Sequence, residues 1–506
     1  FSRKKKLHSF SPDLVGISCM FSLVHSSMKQ VAMLIKEYSA KIPVFAGGVH
    51  ASSAIRDVLL DCGSIDIIFL YESDIAFPKS IDFVNEKASI EDLAQIGSII
   101  EGTFTGIEER SIPASDAIDV SPEYHNLELG NYSACGKIGE SRGLLSEVKK
   151  IGTILSNRGC RAKCNFCSVR SFNGKGVRQR SIENVVDEIE ALRDRYGIQH
   201  IMWLDDDLFF SKQRAVGLFN EMSRRNLGIT WDAANGVIAS AIDEEVIQSA
   251  SESGCICLYI GIESGSSRIL KEIRKPSGVK HFMKAARILK NYPSIFTKGF
   301  LMVGFEGETI SDIKDTIRLA QEMGLHWYSI QILANLPATE LSNKKLHIGE
   351  LNSKKFIDGS TKFFFGSPNA QRKREKQERK KALKFENLLD NNFDYVPTKD
   401  QLKDIWFLMD YYTNYESVIR EDNPHILKVN ETLLRAICDK KTSEHPLANL
   451  FLGAVEQKLG KFELSQEHLN LAVKYRDSSA FWGERFKVLG WNKLISHYKS
   501  QIPISN

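Results

Sequence analysis

Between residue 151 and about residue 333, short apolar runs alternate regularly with amphipathic stretches. The runs have the length of buried strands, and the stretches between them repeat apolar residues at helical spacing. The predicted strands are Gly152–Leu155, His200–Leu204, Gly228–Asp232, Ile256–Ile262, Thr297–Val303 and Tyr328–Leu333. The predicted helices are 181–196, 212–226, 243–253, 279–291 and 309–323. Six such units predict a partial (β/α)6 TIM barrel at 151–345, with its chemistry at the carboxyl ends of the strands.

The first 85 residues alternate in the same way but contain fewer strands. Apolar strands are predicted at 12–17, 42–48 and 65–70, with a helix between the first two. Glycines at strand ends predict an α/β, Rossmann-like (flavodoxin-like) sheet, in which ligands bind outside the carboxyl ends of the strands. Three strands are few for such a sheet, so we expect one or two more to precede Phe1.

The remaining segments are predicted from weaker patterns. Residues 86–150 have little periodicity and are predicted to be a linker. Residues 346–385 are predicted to be a basic helical linker, because Arg372–Lys381 carries seven basic side chains that favour a solvated face. Residues 386–506 are predicted to be a helical accessory domain that is able to bind a protein partner. Within it, 446–475 has the spacing of one tetratricopeptide-like helix pair.

Composition excludes several classes of protein. The net charge is +4, from 67 basic and 63 acidic side chains, which is too balanced for nucleic acid as an obligatory partner. No apolar run is long enough to predict a membrane span. The nine cysteines are an odd number in a chain with no secretion signal, which predicts reduced thiols and a cytoplasmic protein.

Three of these cysteines lie together directly after the first predicted barrel strand, in the run Cys160-Arg-Ala-Lys-Cys164-Asn-Phe-Cys167. Thiolates at close spacing are typical ligands of iron–sulfur clusters. Structural zinc is the alternative, but it needs a fourth ligand, and the nearest plausible imidazole is that of His200 in another predicted strand. The spacing therefore favours an iron–sulfur cluster and leaves zinc as the second interpretation.

With Phe166 before its last cysteine, this run resembles the signature of the radical S-adenosylmethionine (radical SAM) superfamily. The resemblance implies that Cys160, Cys164 and Cys167 bind a [4Fe–4S] cluster with one iron left for S-adenosylmethionine, and that Phe166 contacts that cofactor. It further implies reductive cleavage to a 5′-deoxyadenosyl radical, with electrons from a flavodoxin or ferredoxin. The cofactors then carry the difficult chemistry, and the protein orients and shields it.

Other strand ends resemble cofactor-binding elements of the same superfamily. The resemblance implies that Asp205 lies near the methionine amino group, although an acidic helix cap is an equally good interpretation. It implies that Glu263 and Ser264 approach the ribose, because a buried carboxylate needs a donor. It also implies that Gly304 falls in the turn beneath the adenine. Two departures concern loop shape, since Glu306 stands where relatives often have Pro and Ala338 where they often have Gly.

The N-terminal domain resembles the cobalamin-binding domain of one large radical SAM subgroup, which implies contacts from Ser18, Gly47 and Gly48. The subgroup's Gly-Glu-Gly-Glu stretch is here Tyr71-Glu-Ser-Asp74. No Asp-x-His-x-x-Gly motif occurs, so His25 and His50 are predicted to be surface or packing residues and not cobalt ligands.

Together these features predict a radical SAM iron–sulfur enzyme that uses cobalamin to methylate an unactivated carbon of a small-molecule or lipid substrate. A rearrangement, cyclisation or oxidation without methyl transfer is the alternative within the superfamily. A methylthiotransferase, with a second cluster on Cys19, Cys62 and Cys135, is disfavoured because the residues around these cysteines do not match. A zinc-binding scaffold protein is the alternative from another class.

Overall fold

The computed structural model of the 506-residue chain describes residues 7–107, 109–135, 150–334, 336–343, 385–390, 393–441 and 444–503. The chain forms two compact units. The first unit comprises Phe1–Ile118, Asn165–Arg178 and Ala334–Lys376, and the second comprises Asp119–Cys164, Gln179–Leu333 and Gln377–Asn506. The predicted basic linker at 346–385 lies almost wholly outside the described residues, including Arg372–Lys381.

The described strands are numbered in chain order. They are β1 (Val15–Ser18), β2 (Val44–Gly47), β3 (Ile67–Phe69), β4 (Ile96–Ile100), β5 (Thr103–Ile107), β6 (Ile151–Ile154), β7 (Asn157–Cys160), β8 (Gly176–Gln179), β9 (His200–Trp203), β10 (Thr230–Val237), β11 (Cys255–Glu263), β12 (Phe296–Val303) and β13 (Trp327–Ile332).

The α-helices are numbered in the same way. Those that precede the last strand are α1 (His25–Tyr38), α2 (Val49–Ser53), α3 (Ile55–Asp61), α4 (Ser80–Val84), α5 (Leu129–Cys135), α6 (Val169–Asn173), α7 (Ile182–Tyr196), α8 (Lys212–Arg224), α9 (Glu244–Glu252), α10 (Ser267–Glu272), α11 (Val279–Leu289) and α12 (Ile310–Met323). Those that follow it are α13 (Glu340–Asn343), α14 (Gln401–Asp410), α15 (Glu416–Arg420), α16 (Pro424–Ala436), α17 (Pro446–Lys458), α18 (Phe462–Asp477), α19 (Ala480–Val488) and α20 (Trp491–Ser500).

The first unit contains a five-stranded sheet in the order β1-β2-β3-β4-β5. The first three strands are parallel, and β4 and β5 are antiparallel additions at one edge. Side chains of β2 alternate between two cores, because Val44 and Ala46 pack with residues of α1 whereas Phe45 packs with Phe69 on the other face. Burial on both faces explains why these strands are short apolar runs.

The hairpin of β4 and β5 lies inside the segment 86–150, for which the sequence predicted a linker. The alternation of these strands is weakened by Gly97 and Gly106, and no helix separates them, so the strand–helix pattern gave no signal there. Gly97 has a packing reason, because a Cβ at this position would lie 2.2 Å from the Ile55 side chain. The sheet therefore extends beyond residue 85, and the first compact unit runs to Ile118.

The second unit contains the predicted partial barrel. Its six strands are parallel and follow chain order, β6-β9-β10-β11-β12-β13. Each of the six predicted strands is present, which confirms the predicted α/β fold class. Strand β10 continues to Val237, past the predicted end at Asp232. The prediction stopped too early because the residues between Asp232 and Val237 are small or polar and do not form an apolar run.

The C-terminal helices pack on the last strand of this sheet. The Trp406 indole N–H donates to the Ile330 carbonyl at 2.8 Å. The Asn414 side chain accepts from the Tyr328 N–H at 2.7 Å and donates to the Tyr328 carbonyl at 2.9 Å. These bonds satisfy backbone groups that an edge strand leaves open. The predicted helix pair is α17 and α18, which pack closely around Gly453, since a Cβ there would lie 2.9 Å from Leu469.

In the part of the chain that the structure describes, no helix is both long and apolar enough to cross a membrane.

Candidate functional site

The cysteine loop begins where the first barrel strand ends. Strand β6 ends at Ile154, and β7 carries the chain to Cys160. Of the eight cysteines whose side chains the structure describes, five are buried, whereas Cys160, Cys164 and Cys167 are each partly exposed. Thiols that bind a cofactor must be accessible, so this exposure fits the predicted role of these three.

The described contacts of the loop fit a sulfur-ligated group. The Ala162 N–H lies 3.4 Å from Cys160 Sγ, and such amide donors stabilise ligating thiolates. Cys160 and Cys164 belong to the second unit and Cys167 to the first. Among the residues described, no group of three or more His, Cys, Asp or Glu side chains is gathered as if around a metal ion. The three-thiol ligand set therefore stays a prediction from the spacing.

An ion pair that the sequence did not reveal, between the partly exposed Arg161 and the buried Asp207, fixes the loop between the first two cysteines. Arg161 Nη2 donates to Asp207 Oδ1 at 2.9 Å, and the Arg161 backbone N–H donates to Asp207 Oδ2 at 3.3 Å. The same guanidinium donates to the carbonyls of Phe209 and Phe210 at 2.8 and 2.9 Å. Burial raises the pKa of Asp207, and Arg161 acts against that rise. The pair thus ties the cysteine loop to the end of β9.

Asp205 lies at the same strand end but makes different contacts. Its carboxylate accepts from the Ser156 N–H at 3.0 Å and from the Ser156 hydroxyl at 2.5 Å. It is buried, and burial raises its pKa to about 6. Its described partners therefore shape the turn after β6, and its predicted contact with the methionine amino group stays a prediction.

Glu263 ends β11 in an uncommon backbone conformation, with φ +67°. Left-handed backbone at a non-glycine residue stores strain and is concentrated at functional sites. Its Oε1 lies 2.7 Å from Lys275 Nζ, and both side chains are about nine-tenths buried. Lys275 is close enough to oppose, electrostatically, the rise in the Cys164 pKa that burial causes. Glu263, Lys275 and Cys164 therefore share one electrostatic environment. The sequence predicted Glu263 and Cys164 as site residues but not Lys275.

Ser264 is fully buried beside this pair. Its hydroxyl lies 3.2 Å from Thr316 Oγ1 and accepts from the Ser266 N–H at 3.1 Å. Through these contacts Ser264 helps α12 to pack at the end of β11. The contact of Ser264 with the ribose stays a prediction.

Gly304 follows β12 with φ +96°, a conformation that favours glycine. A Cβ there would lie 2.9 Å from the Leu402 side chain, so the C-terminal helices also require a glycine. The Gly304 N–H donates to Glu308 Oε2 at 2.6 Å, and the Phe305 N–H donates to the same oxygen at 3.1 Å. Burial raises the pKa of Glu308 to about 7. Glu308 thus shapes the turn predicted to lie beneath the adenine.

Phe166 belongs to the first unit, within Asn165–Arg178, and is partly buried. This segment is held by Arg110, whose guanidinium lies 4.1 Å from the centroid of the Tyr71 ring. Arg110 also donates to the Ser171 carbonyl at 3.1 Å and to that of Phe172. Tyr71 occupies the first glycine position of the Gly-Glu-Gly-Glu stretch, and its φ of +59° keeps the conformation that glycine would adopt.

The predicted cobalamin contacts lie at one edge of the first sheet. Ser18 ends β1 and is exposed, and Gly47 ends β2 next to it. Gly48 has φ +94°, and a Cβ there would lie 2.7 Å from the Cys19 carbonyl oxygen. Position 48 therefore requires glycine, because the loop after β1 leaves no room for a side chain. A Cβ at Gly47 would lie 3.7 Å from the Phe69 carbonyl oxygen, an ordinary contact distance, so packing does not require glycine there and its contact with cobalamin stays a prediction.

His25 and His50 differ from the surface interpretation, because both are buried and hydrogen-bonded to each other. Both ring nitrogens of each imidazole have partners in the first unit. These contacts give both histidines a packing role in the first unit.

Cys19 and Cys62, considered above as possible ligands of a second cluster, are also buried. Burial raises the pKa of Cys19 to about 11, so its thiol is a poor source of ligating thiolate. The side chain of Cys135 lies outside the described residues.

Comparisons with known proteins agree with this geometry. Residues 154–320 match the family model of the radical SAM superfamily, and residues 5–79 match that of the B12 binding domain. An uncharacterised methyltransferase of Pyrococcus horikoshii is 27% identical over 338 residues, which cover 67% of this chain and 70% of that protein. The cytidylyl-2-hydroxyethylphosphonate methyltransferase of Streptomyces wedmorensis is 27% identical over 376 residues, 68% of each chain.

Two solved structures share the fold over most of the chain. The radical S-adenosylmethionine methyltransferase TsrM of Kitasatospora setae, with cobalamin and a [4Fe–4S] cluster bound, covers 92% of this chain and 90% of its own, with TM-score 0.62 and 16% identity. The cobalamin-dependent S-adenosylmethionine radical enzyme OxsB covers 98% of this chain and 76% of its own, with TM-score 0.54 and 14% identity.

The fold and the two matched domains define a radical SAM enzyme. In this chain a B12 binding domain at 5–79 precedes a radical SAM domain at 154–320. The predicted class of enzyme and its cofactors, a [4Fe–4S] cluster, S-adenosylmethionine and cobalamin, are thereby confirmed.

Proposed function

We propose that this enzyme methylates an unactivated carbon of a small-molecule or lipid substrate in a cobalamin-dependent reaction. The observation that carries the proposal is the union, in one chain, of a B12 binding domain at 5–79 and a radical SAM domain at 154–320. The two relatives reported above are both named methyltransferases, which supports methyl transfer.

The cluster ligands are proposed to be Cys160, Cys164 and Cys167. When bound, the cluster supplies the electron that cleaves S-adenosylmethionine, and cobalamin supplies a cobalt centre able to carry a methyl group. Arg161 and Asp207 hold the loop that presents the first two thiols. Their role is positional, because the Arg161 guanidinium is engaged by the Asp207 carboxylate and by the carbonyls of Phe209 and Phe210.

Glu263 is proposed to bind a ribose hydroxyl, with Lys275 holding the carboxylate in place. The ion pair keeps one carboxylate oxygen, Oε1, engaged at 2.7 Å, so the other oxygen is the proposed acceptor. The left-handed backbone of Glu263 fixes the direction in which the side chain leaves the strand. Phe166, Asp205, Ser264 and Gly304 remain proposed contacts or supports of the same cofactor.

Further proposals concern the surroundings of the enzyme. The electron donor is proposed to be a flavodoxin or a ferredoxin. The odd number of cysteines, nine, supports a reducing compartment, and the cytoplasm is the proposed location. A protein partner of the C-terminal helices is a further proposal.

The proposal is tested with the full chain, reconstituted anaerobically with iron and sulfide and supplied with hydroxocobalamin. We expect one corrinoid bound per chain, and S-adenosylmethionine labelled in its methyl group to transfer label to the corrinoid under reducing conditions. Radical cleavage without corrinoid binding would favour the alternative without methyl transfer. A chain that retains zinc and binds neither cofactor would favour the scaffold.

A further inference from the structure

Four side chains of the first unit form a continuous hydrogen-bonded relay. Ser22 Oγ lies 2.9 Å from His50 Nδ1, His50 Nε2 lies 2.9 Å from His25 Nδ1, and His25 Nε2 lies 2.9 Å from Asp61 Oδ2. Lys29 Nζ lies 3.1 Å from the same Asp61 oxygen. We call Ser22, His50, His25 and Asp61 the histidine relay.

With both imidazoles neutral, the carboxylate at one end sets the direction of the bonds in the relay. An ionised carboxylate only accepts, so His25 donates to Asp61 through Nε2–H. A neutral His25 then accepts at Nδ1 from His50 Nε2–H, and a neutral His50 accepts at Nδ1 from the Ser22 hydroxyl. Both imidazoles are buried, and burial, with the neighbouring His25, lowers the pKa of His50 to about 4, so His50 is neutral near pH 7.

This direction decides what Ser22 offers to a ligand. Its proton is engaged by His50, so the hydroxyl oxygen is left with lone pairs that accept from an outside donor. The Ser22 side chain is partly exposed, in the short 3₁₀ helix Ser22–Val24 before α1. The relay thus presents an acceptor at the protein surface and holds it from within.

The location of that acceptor is the ligand edge of the sheet. The loops after β1 and β2 are joined by backbone bonds from Cys19 to Gly47 at 2.8 Å and from His50 to Cys19 at 3.1 Å. Beside Ser22, Met20 and Phe21 are 48% and 66% exposed. Exposed apolar side chains next to an oriented acceptor suit a large, flat ligand whose rim carries N–H donors.

We propose that Ser22 Oγ accepts a hydrogen bond from a side-chain amide at the rim of the corrin ring, and that His50 and His25 are the positioning residues that hold it in that state. This inference rests on the proposed cobalamin dependence and names one contact within it. A purely structural relay would join α1 to α2 and α3 without any preference among corrins.

Two corrins distinguish these roles, because they differ at the rim. Dicyanocobinamide carries amide donors, whereas dicyanocobyrinic acid heptamethyl ester carries esters, which accept but do not donate. Binding of each to the full chain is measured by quenching of tryptophan fluorescence. We expect S22A to weaken cobinamide binding about fivefold, the value of one neutral hydrogen bond, and to leave ester binding unchanged.

Further variants separate the relay from general damage to the fold. S22T keeps the hydroxyl and is expected to bind cobinamide as the parent chain does, and S27A is the control on an exposed serine of α1. H50L is expected to show the same loss as S22A, with no further loss in the double variant. If H50L fails to fold, H50Q, which carries one acceptor and one donor, replaces it and is expected to bind normally.

The inference is overturned if S22A binds cobinamide like the parent chain, or if it weakens both corrins equally. If the parent chain binds hydroxocobalamin but S22A shows no selective loss, only the Ser22 contact fails. If the parent chain binds no corrin, the proposed cobalamin dependence fails as well.

Discussion

The Arg178 guanidinium and the Glu72 carboxylate form a two-pronged ion pair within the first unit, with Arg178 Nη1 2.9 Å from Glu72 Oε2 and a second bond from Nη2 to Oε1. Their side chains are 14% and 8% exposed. Arg178 also donates to the carbonyls of Pro113 and Asn173 at 2.8 and 3.0 Å. The chain that leaves the cysteine loop is thus anchored to Tyr71-Glu-Ser-Asp74 of the B12 binding domain.

Replacing Arg178 by Gln tests the energetic weight of this pair. The change leaves a buried carboxylate without its partner, which costs about 3–5 kcal/mol of unfolding free energy. Denaturant unfolding measures the loss. The double variant with Glu72→Gln removes both charges and is expected to recover part of the stability. Equal losses in the single and double variants would contradict the pair.

Asp207→Asn tests whether the Arg161 ion pair positions the cysteine loop. The variant removes the charge that orients Arg161 beside the first cysteine, so we expect iron content after anaerobic reconstitution to fall at least severalfold. The control is Asp194→Asn, since Asp194 also pairs with an arginine but is 55% exposed. Iron content unchanged in the first variant, or lost equally in both, would contradict the positional role.

Glu308 predicts a specific pH dependence of stability. Its pKa rises from 4.5 to about 7 on folding through burial. Between these values the folded chain holds a proton that the unfolded chain has lost, so the unfolding free energy decreases as pH rises, by about 3 kcal/mol in total. Glu308→Gln removes this contribution. We expect the difference in unfolding free energy between variant and parent to move in the variant's favour from pH 4.5 to 7, and parallel profiles would refute the assignment.

Ala338 adopts φ +60°, the conformation for which relatives use glycine. The Ser171 hydroxyl donates to the Ala338 carbonyl at 2.6 Å and helps to hold it. Ala338→Gly removes backbone strain, so we expect the unfolding free energy to rise by about 0.5–1 kcal/mol. The matched control is Ala191→Gly within α7, which is expected to lower it by about 1 kcal/mol because glycine disfavours a helix interior. A loss of stability in both variants would contradict the strain.

The strand–helix alternation was sufficient to predict the barrel, because short apolar runs mark its six strands and amphipathic helices separate them. The same pattern could not reveal β4 and β5, which form an antiparallel hairpin without helices. Tyr71 and Ala338 stand where relatives have glycine, but these replacements did not change the backbone conformation of the two turns. Tyr71 and Ala338 keep left-handed backbone because side-chain contacts from Arg110 and Ser171 hold the two turns.

The cysteine positions followed from spacing, whereas their supports depend on contacts between distant residues. Arg161 and Asp207 lie 46 positions apart, and no local pattern joins them. The sequence indicated a partner such as Lys275 only indirectly, because a buried carboxylate at Glu263 requires a hydrogen-bond donor. The sequence argument assigned that donor to the ribose, and the structure adds the ammonium of Lys275. The histidine relay likewise joins residues that lie far apart in the sequence, so no local pattern could predict it.

The central claim is that Cys160, Cys164 and Cys167 bind the cluster that cleaves S-adenosylmethionine. The most direct measurement is 5′-deoxyadenosine formed by the anaerobically reconstituted full chain, given S-adenosylmethionine and a strong reductant, together with iron content. The parent chain is expected to bind about four irons per chain at this site and to produce 5′-deoxyadenosine, and the variant with all three cysteines changed to Ala is expected to lose both. Equal iron content and equal 5′-deoxyadenosine in parent and variant would contradict the account.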